Sequence, residues 1–357
     1  MNIAERLRRF LREPPVAFRK KSMKKNSCSV MTCAVAFALA CLVGVAAEDT
    51  APMRLVQTIP LPHVEGRIDH LALDVAGQRL FIAALGNNSL EVIDLRTGKR
   101  IRSISGLRGP QGVAYVAKAN QVYVACGDDG AVKVYDAKSL DLVTTLRDLD
   151  DADNVRYDAA AKCVYVGYGS GALAIIDATT AKRVGDIKLA GHPESFQLEQ
   201  KGNRIFVNVP TAKHVAIADR EKRSVIATWP LRSAAANFPM ALDEVNHRLF
   251  VGCRQPAAVI VLDSDSGKEV AGVAIDGDTD DVFYDAKTGR VYVTCGAGYI
   301  DVLDENDLLP YNVTDKIPAA SGARTSLFVP ELNRLYLAVP YRGHQQAEVR
   351  VYETTGD

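Results

Sequence analysis

Short apolar strands recur along the chain at a nearly constant spacing. Each contains three hydrophobic residues, usually with a central tyrosine or phenylalanine. The seven copies begin at Leu80, Val122, Val164, Ile205, Leu249, Val291 and Leu335, with spacings of 42, 42, 41, 44, 42 and 44 residues. A period of about 40 residues is typical of chains built from repeated supersecondary units. The pattern therefore predicts seven equivalent units.

Each unit contains four short stretches of alternating polarity. In the first unit the strands begin near His70 and then cover 80–84, 90–94 and 101–104, with polar turns at 74–78, 86–89 and 97–98. Alternation with period two, bounded by turn residues, predicts four antiparallel strands. Sheets that are apolar on both faces must pack against one another around an axis. The predicted fold is all-β, a seven-bladed β-propeller of four-stranded blades.

The seventh unit lacks a fourth strand, because the chain ends soon after the third strand at 349–352. Residues 53–61, MRLVQTIPL, resemble the fourth strand of unit four at 223–231, RSVIATWPL. We therefore expect the N-terminal strand to complete the last blade. Such closure removes the exposed sheet edge that an open ring would leave.

Aspartate ends the third strand in six of the seven units. These residues are Asp94, Asp136, Asp177, Asp219, Asp263 and Asp304. An aspartate there can accept hydrogen bonds from backbone amides of the following turn. We interpret the six carboxylates as structural.

The first 47 residues differ from the rest. Lys24 and Lys25 precede a mostly apolar run at 30–45, which ends in Ala46 and Ala47. This is the order of a secretory signal peptide cleaved after Ala47. The apolar run is shorter than the roughly 20 residues of a membrane-spanning helix, so no stable span is expected after cleavage.

The predicted organisation is a leader at 1–47 and one propeller domain at 48–357. Two alternatives concern the leader: a translation start at Met23, and acylation of Cys41, which would make the protein a lipoprotein. A cleaved leader predicts a periplasmic or secreted protein.

Composition and charge narrow the classes of partner. Hydrophobic residues make up 48% and charged residues 24%, as in an ordinary globular protein. The leader carries nine Lys/Arg and two Asp/Glu, which leaves 34 basic and 41 acidic residues and a mature net charge near −7. A nucleic-acid partner is not expected, because phosphate binding needs a concentrated basic surface.

Four cysteines follow the leader: Cys126, Cys163, Cys253 and Cys295. An oxidising compartment would favour disulfides. However, three of the four take equivalent or nearly equivalent places in different units, so they should lie apart. We predict buried free thiols.

The strands Val-Tyr-Val-Ala at 122–125, Val-Tyr-Val-Gly at 164–167 and Val-Tyr-Val-Thr at 291–294 are similar to those of the YVTN-repeat β-propellers, including the YncE-like exported proteins. The resemblance covers residues 53–353. It implies the propeller architecture and, for many members, an extracytoplasmic location. It leaves biochemical activity open, because a fold does not supply a function.

Propellers bind ligands where the innermost strands enter the central channel. The residues eleven positions before each anchor are Asp69, Gln111, Asp153, Glu194, Phe238, Asp280 and Arg324, and those one place further on are His70, Gly112, Asn154, Ser195, Pro239, Asp281 and Thr325. Four carboxylates in the first set predict an acid-rich ligand ring. The alternative is a solvated channel whose charge Arg67, Arg324 and His70 balance internally.

Other candidate contacts lie beside this ring. They are His192, Asn237, and the loop residues Tyr168, Tyr341 and Arg342 at the same end of the blades. His192 with Glu194, or His70 with Asp69, could form a general acid–base pair, although a surface histidine is the more common outcome.

A divalent cation is a candidate ligand through Asp153, Glu194 and Asp280, provided that acids on opposite blades lie close enough to share one ion. No cofactor is firmly implied. The sequence contains no Cys-x-x-Cys-His, Gly-x-Ser-x-Gly or Gly-rich phosphate loop. The leading hypothesis is a non-enzymatic binding module for a small molecule, an ion or a protein segment. The alternatives are a metal-dependent lactonase-like hydrolase and a scaffold for a periplasmic complex.

Overall fold

The computed structural model of the chain describes residues 51–304 and 311–355. The predicted signal peptide, the alternative start at Met23 and Cys41 lie outside these residues, so the boundary at 47 stays a prediction. No helix in the described ranges is both long and apolar enough to cross a bilayer.

The described residues form 28 β-strands. In chain order these are β1 Met53–Pro60, β2 Leu71–Asp74, β3 Arg79–Ala84, β4 Ser89–Asp94, β5 Lys99–Ser105, β6 Pro110–Val116, β7 Gln121–Cys126, β8 Ala131–Asp136, β9 Leu142–Leu146, β10 Val155–Asp158, β11 Cys163–Tyr168, β12 Ala172–Asp177, β13 Lys182–Lys188, β14 Phe196–Leu198, β15 Arg204–Val209, β16 His214–Asp219, β17 Ser224–Pro230, β18 Ala235–Asp243, β19 Arg248–Gln255, β20 Ala257–Asp263, β21 Glu269–Ala274, β22 Thr279–Asp285, β23 Arg290–Cys295, β24 Tyr299–Asp304, β25 Asn312–Pro318, β26 Ser326–Val329, β27 Arg334–Val339 and β28 Glu348–Thr354.

The strands assemble into seven antiparallel four-stranded sheets arranged in a ring. Blades one to six are β2–β5, β6–β9, β10–β13, β14–β17, β18–β21 and β22–β25, and blade seven is β26–β28 with β1. Each apolar repeat found in the sequence is the second strand of a blade. The predicted seven-bladed propeller is confirmed.

The N-terminal strand completes the last blade, as predicted. Strand β1 pairs antiparallel with β28 along its whole length, from Met53 opposite Thr354 to Pro60 opposite Glu348. Ile59 is fully buried and packs in the apolar cluster between blades seven and one. The ring therefore closes through strand pairing between two segments that are distant in sequence.

Every outer strand contains one extra residue that has no partner on the neighbouring strand. The bulged residues are Val56, Ile101, Val143, Val184, Ile226, Val270 and Thr314. A bulge bends an edge strand and interrupts its ladder of unpaired amides and carbonyls. The seven outer edges are therefore poor templates for pairing with another chain.

The core lies between adjacent blades and is filled from the second and third strands. The aromatic residues at the centre of the second strand are Phe81, Tyr123, Tyr165, Phe206, Phe250, Tyr292 and Tyr336, all buried. Because successive side chains on a strand point to opposite faces, each blade buries apolar residues against both neighbours. This packing fixes the innermost strands relative to one another.

The strand-ending aspartates hold turns at the end of the blades opposite the channel site. Asp94, for example, accepts hydrogen bonds from the amides of Arg96 and Thr97. Asp136, Asp177, Asp219 and Asp263 accept equivalent bonds, and each of these five carboxyls has a lowered pKa because of them or of an ion pair. Asp304 adjoins residues 305–310, which are not described.

The four cysteines Cys126, Cys163, Cys253 and Cys295 are free thiols. Three of them are buried, as expected. Cys163 is only partly buried, because it begins the second strand of blade three at the end of the sheet. The prediction of burial was wrong for that thiol.

Candidate functional site

A polar cavity of about 190 Å³ lies where the innermost strands begin. Its lining comes from all seven blades: Arg67, Asp69, His70, Gln111, Asp151, Asp153, His192, Glu194, Phe238, Arg254, Asp280 and Arg324. Eleven of these twelve side chains are polar or charged. The structure thus brings together the seven ring residues that were counted from the repeat, with His70 and His192 beside them.

Backbone hydrogen bonds hold the leading residues of the innermost strands in place. The amide of Asp69 donates to Ala83 O at 2.7 Å, that of Asp153 to Gly167 O at 2.9 Å, and that of Glu194 to Asn208 O at 3.0 Å. In each case the acceptor lies on the second strand of the same blade. The carboxylates therefore project from a rigid framework.

Two arginines hold Asp280 on one side of the cavity. Its two carboxylate oxygens lie 2.6 Å from Arg254 Nη2 and 2.8 Å from Arg324 Nε. The Arg254 guanidinium stacks on Phe238, with its carbon 3.7 Å from the ring centroid. Burial raises the pKa of Asp280 to about 6 against the effect of the two arginines. The two ion pairs favour the ionised carboxylate, which burial alone would disfavour.

His70 lies between two carboxylates. Its Nε2 is 3.6 Å from Asp69 Oδ1, and its Nδ1 is 3.7 Å from Asp281 Oδ2. Burial lowers the pKa of His70, but Asp281 and Asp69, with Asp153 further away, outweigh it and raise the pKa to about 10. Asp69 also forms an ion pair with Arg67. At neutral pH this side of the ring holds an imidazolium between two paired acids.

A third group, Asp153, His192 and Glu194, lies on blades three and four. One potential ligand atom from each lies within 4.8 Å of the others, and His192 Nε2 is 4.0 Å from Asp153 Oδ2. His192 Nδ1 donates to Gly169 O at 2.7 Å and lies 3.5 Å from Asp151 Oδ2.

The charges of this group interact. The Asp153 carboxylate, as acceptor for the protonated imidazole, raises the pKa of His192 to about 9 although burial opposes it. Burial, and then the charges of Asp153 and Asp280, raise the pKa of Glu194 to about 8. A carboxyl and an imidazole whose pKa values are both perturbed in one cavity mark a candidate functional site.

Six candidate residues do not line the cavity, Tyr168 among them. Asn154, Asp281 and Asn237 are buried in the wall. Asp281 accepts from the Ser326 amide at 2.7 Å, and Asn237 donates to Asn208 Oδ1 at 2.8 Å. Tyr341 and Arg342 line a neighbouring cleft of about 360 Å³, which shares Arg67 and Arg324 with the cavity.

Sequence reasoning missed Asp151 and Arg254 as cavity residues. Asp151 belongs to the acidic run at 148–153, and Arg254 lies near the end of β19, the second strand of blade five. Neither residue lies on an innermost strand, so counting along those strands could not identify them. Tyr168, expected at the rim, donates to Asp186 at 3.1 Å and lies under the Arg183 guanidinium.

A larger cleft of about 440 Å³ lies between blades three and four at the other end of the strands. It is lined by turn residues such as Asp158, Glu199 and Arg220, and Asp158 and Arg220 form an ion pair with each other. Among the described residues, the group of potential metal ligands lies in the channel cavity instead. We therefore take the channel cavity as the candidate site.

No protein-family model matches the chain. It is similar to the uncharacterized protein YncE of Salmonella typhimurium (strain LT2) and of Salmonella typhi, each 22% identical over 210 residues. These matches cover 54% of this chain and span only 58% of each relative's length. This weak homology and the seven blades are consistent with a YncE-like propeller, as the repeat motifs indicate.

Two solved structures share the fold. A Kuenenia stuttgartiensis hydrazine synthase chain matches with a TM-score of 0.70 and 17% identity, covering 83% of this chain and 98% of that one. A chain of a mitotic checkpoint complex matches with a TM-score of 0.71 and 14% identity, covering 91% and 99%. At such low identity these matches concern architecture only.

Proposed function

We propose that this chain is an exported binding protein that holds a small charged ligand in the channel cavity. The single observation that carries the proposal is the convergence of eleven polar or charged side chains from the seven blades on one cavity of about 190 Å³. That volume equals on the order of six water molecules at about 30 Å³ each. It fits a compact polar molecule better than a drug-sized one.

Arg254 and Arg324 indicate that the ligand is an anion. Both guanidiniums are oriented by Asp280, and Arg324 is also held by Asp278 at 2.6 Å from its Nη1. An arginine has five N–H donors, so each keeps donors that these contacts do not use. Oriented guanidiniums in a partly dehydrated site suit a carboxylate or phosphate group.

The export proposal rests on the sequence of residues 24–47, which has the order of a cleavable signal peptide. Fractionation of cells that produce the full chain should place the mature protein in the periplasm or the medium. N-terminal sequencing of that protein should begin at Glu48. Retention in the cytoplasm with an intact leader would contradict this part of the proposal.

Calorimetric titration of the full chain with inorganic phosphate, succinate and glutamate tests the binding role. At least one probe should bind saturably at one equivalent. Arg324→Gln should weaken binding about tenfold or more, because a hydrogen bond to a charged group contributes about 1.5–3 kcal/mol.

Arg96→Gln is the matched control for that substitution. Arg96 is paired with Asp94 in an outer turn at the opposite end of the blades, so the variant should bind normally. If none of the probes binds, or if both variants bind as the wild type does, the proposed anion site is wrong.

Two alternative hypotheses are separated by other assays. Hydrolysis of lactone substrates that requires an added divalent ion would favour the metal-dependent hydrolase. Stoichiometric co-purification of one protein with the full chain would favour the scaffold.

A further inference from the structure

We propose that Asp153, His192 and Glu194 form a binding site for a divalent transition-metal ion, with Zn²⁺ as the best-suited probe. The site goes beyond the proposed function, because the ion would bind whether or not an anionic ligand occupies the cavity. The three side chains come from two adjacent blades and offer two carboxylate oxygens and one imidazole nitrogen within 4.8 Å of one another.

The spacing is close to that of a metal site. Zinc ligands of this kind lie about 2.0–2.2 Å from the ion, so neighbouring ligand atoms are roughly 3.3–3.5 Å apart. His192 Nε2 and Asp153 Oδ2 are already 4.0 Å apart. The side chains therefore need to move by about 1 Å or a little more, which rotation of a partly exposed carboxylate provides without a change of backbone.

His192 is oriented as metal-binding histidines usually are. Its Nδ1 donates to the carbonyl of Gly169 at 2.7 Å, and Asp151 Oδ2 lies 3.5 Å from the same nitrogen. In the neutral ring, a proton fixed on Nδ1 leaves the lone pair of Nε2 directed towards Asp153. A backbone carbonyl or carboxylate on the far nitrogen is the common outer support of a metal-bound imidazole.

Two of the other cavity acids have arginine partners, whereas Asp153 and Glu194 do not. Asp69 is paired with Arg67, and Asp280 is held by Arg254 and Arg324. In the part of the chain that the structure describes, neither Asp153 nor Glu194 forms an ion pair with a lysine or arginine. Two neighbouring carboxylates without such a partner are the natural place for a divalent cation.

The donor set also selects the ion. Mixed nitrogen and oxygen ligands favour Zn²⁺ and related transition ions, whereas Mg²⁺ and Ca²⁺ prefer oxygen alone. Three protein ligands leave at least one coordination position for water or a ligand in the cavity. The sequence-based set Asp153, Glu194 and Asp280 is thus revised, with His192 in the place of Asp280.

The test is zinc binding by the full chain, purified without an affinity tag and treated with a chelator. Metal analysis should find one zinc ion per chain. Competition titration should show that His192→Gln and Glu194→Gln each lower the zinc affinity by at least about 100-fold. Cobalt substitution should give visible absorption bands that His192→Gln changes. Comparison among variants cancels any contribution from cysteines in the leader.

His247→Gln is the matched control. His247 is paired with Asp265 at 3.0 Å but lies exposed outside the cavity, so this variant should keep full zinc affinity. Asp151→Asn should lower the zinc affinity about 10-fold or more, because the carboxylate beside His192 Nδ1 is lost. Circular dichroism of the metal-free variants checks that each is folded.

Zinc affinity that is equal in the wild type, His192→Gln and Glu194→Gln would overturn the proposal, as would an absence of binding by the folded wild type. Phosphate or succinate titration of the same proteins keeps the two proposals apart. Anion binding without zinc binding refutes the metal site alone, whereas zinc binding without anion binding refutes only the proposed anionic ligand.

Discussion

The closure of the ring through β1 predicts that a substitution in blade seven destabilises the whole domain. Ile59 is fully buried between blades seven and one, whereas Leu55 on the same strand is 50% exposed. Ile59→Ala removes three carbon atoms, worth about 0.8 kcal/mol each, and leaves a cavity. We expect a loss of about 3 kcal/mol in the free energy of unfolding.

The chain contains one tryptophan, and its position makes the assay informative. Trp229 lies on β17 in blade four, far along the chain from Ile59, and packs on Phe206 with ring centroids 5.7 Å apart. Urea unfolding followed by its fluorescence therefore reports on blade four. Far-ultraviolet circular dichroism reports on all blades.

If closure makes the ring one cooperative unit, Ile59→Ala should shift both transitions together by about 3 kcal/mol. Leu55→Ala should cost less than about 1 kcal/mol, because a half-exposed side chain loses less burial. The reasoning is refuted if the Trp229 transition of Ile59→Ala coincides with that of the wild type. It is equally refuted if the two substitutions cost the same.

Three further predictions follow from the site and the core. The pKa of His70 is about 10 in the folded protein against 6.5 for the free side chain, so the stabilisation from its protonated form is complete below pH 6.5 and is lost as pH rises towards 10. Thermal unfolding from pH 6 to 10 should therefore show a steeper fall of the melting temperature in the wild type than in His70→Gln. Gly112→Ala should destabilise the fold by about 1–3 kcal/mol, because the added Cβ would lie 2.1 Å from Asp153 O. The Cβ of Gly277→Ala meets nothing within 4 Å, so this control should cost less when the two variants are compared by chemical denaturation. In the mature native protein a disulfide reagent should modify only Cys163, and should do so slowly, because burial raises the pKa of its thiol. Cys163→Ser should abolish this reaction of the native protein. Rapid labelling of a second thiol would contradict the buried positions of the other three.

The architecture was predictable because it depends on patterns that repeat. Seven apolar anchors gave the number of blades, and the similarity of 53–61 to 223–231 gave the closing strand. The similarity extends to the bulge, since Val56 in β1 and Ile226 in β17 occupy the same place in their strands. Periodicity determines such features locally, without knowledge of the distant packing.

The cavity was predictable only at the level of position. Counting from the anchors identified the ring residues, because register alone decides which residue begins each innermost strand. It did not determine that Asp280 is held by arginines while Asp153 lies beside His192, since this depends on side-chain conformation across blades. For the same reason, Arg254 reaches the cavity from the second strand of blade five, and Asn237 turns into the wall.

The pairing of β1 with β28 also constrains the order of events when the protein is made. Arg54 meets Glu353 across 299 positions of sequence, so the first strand has no partner until the ribosome has completed the last blade. Until then its backbone amides and carbonyls lack the strand partner that they have in the closed ring. Ring closure is therefore a late step, which follows the synthesis of every blade.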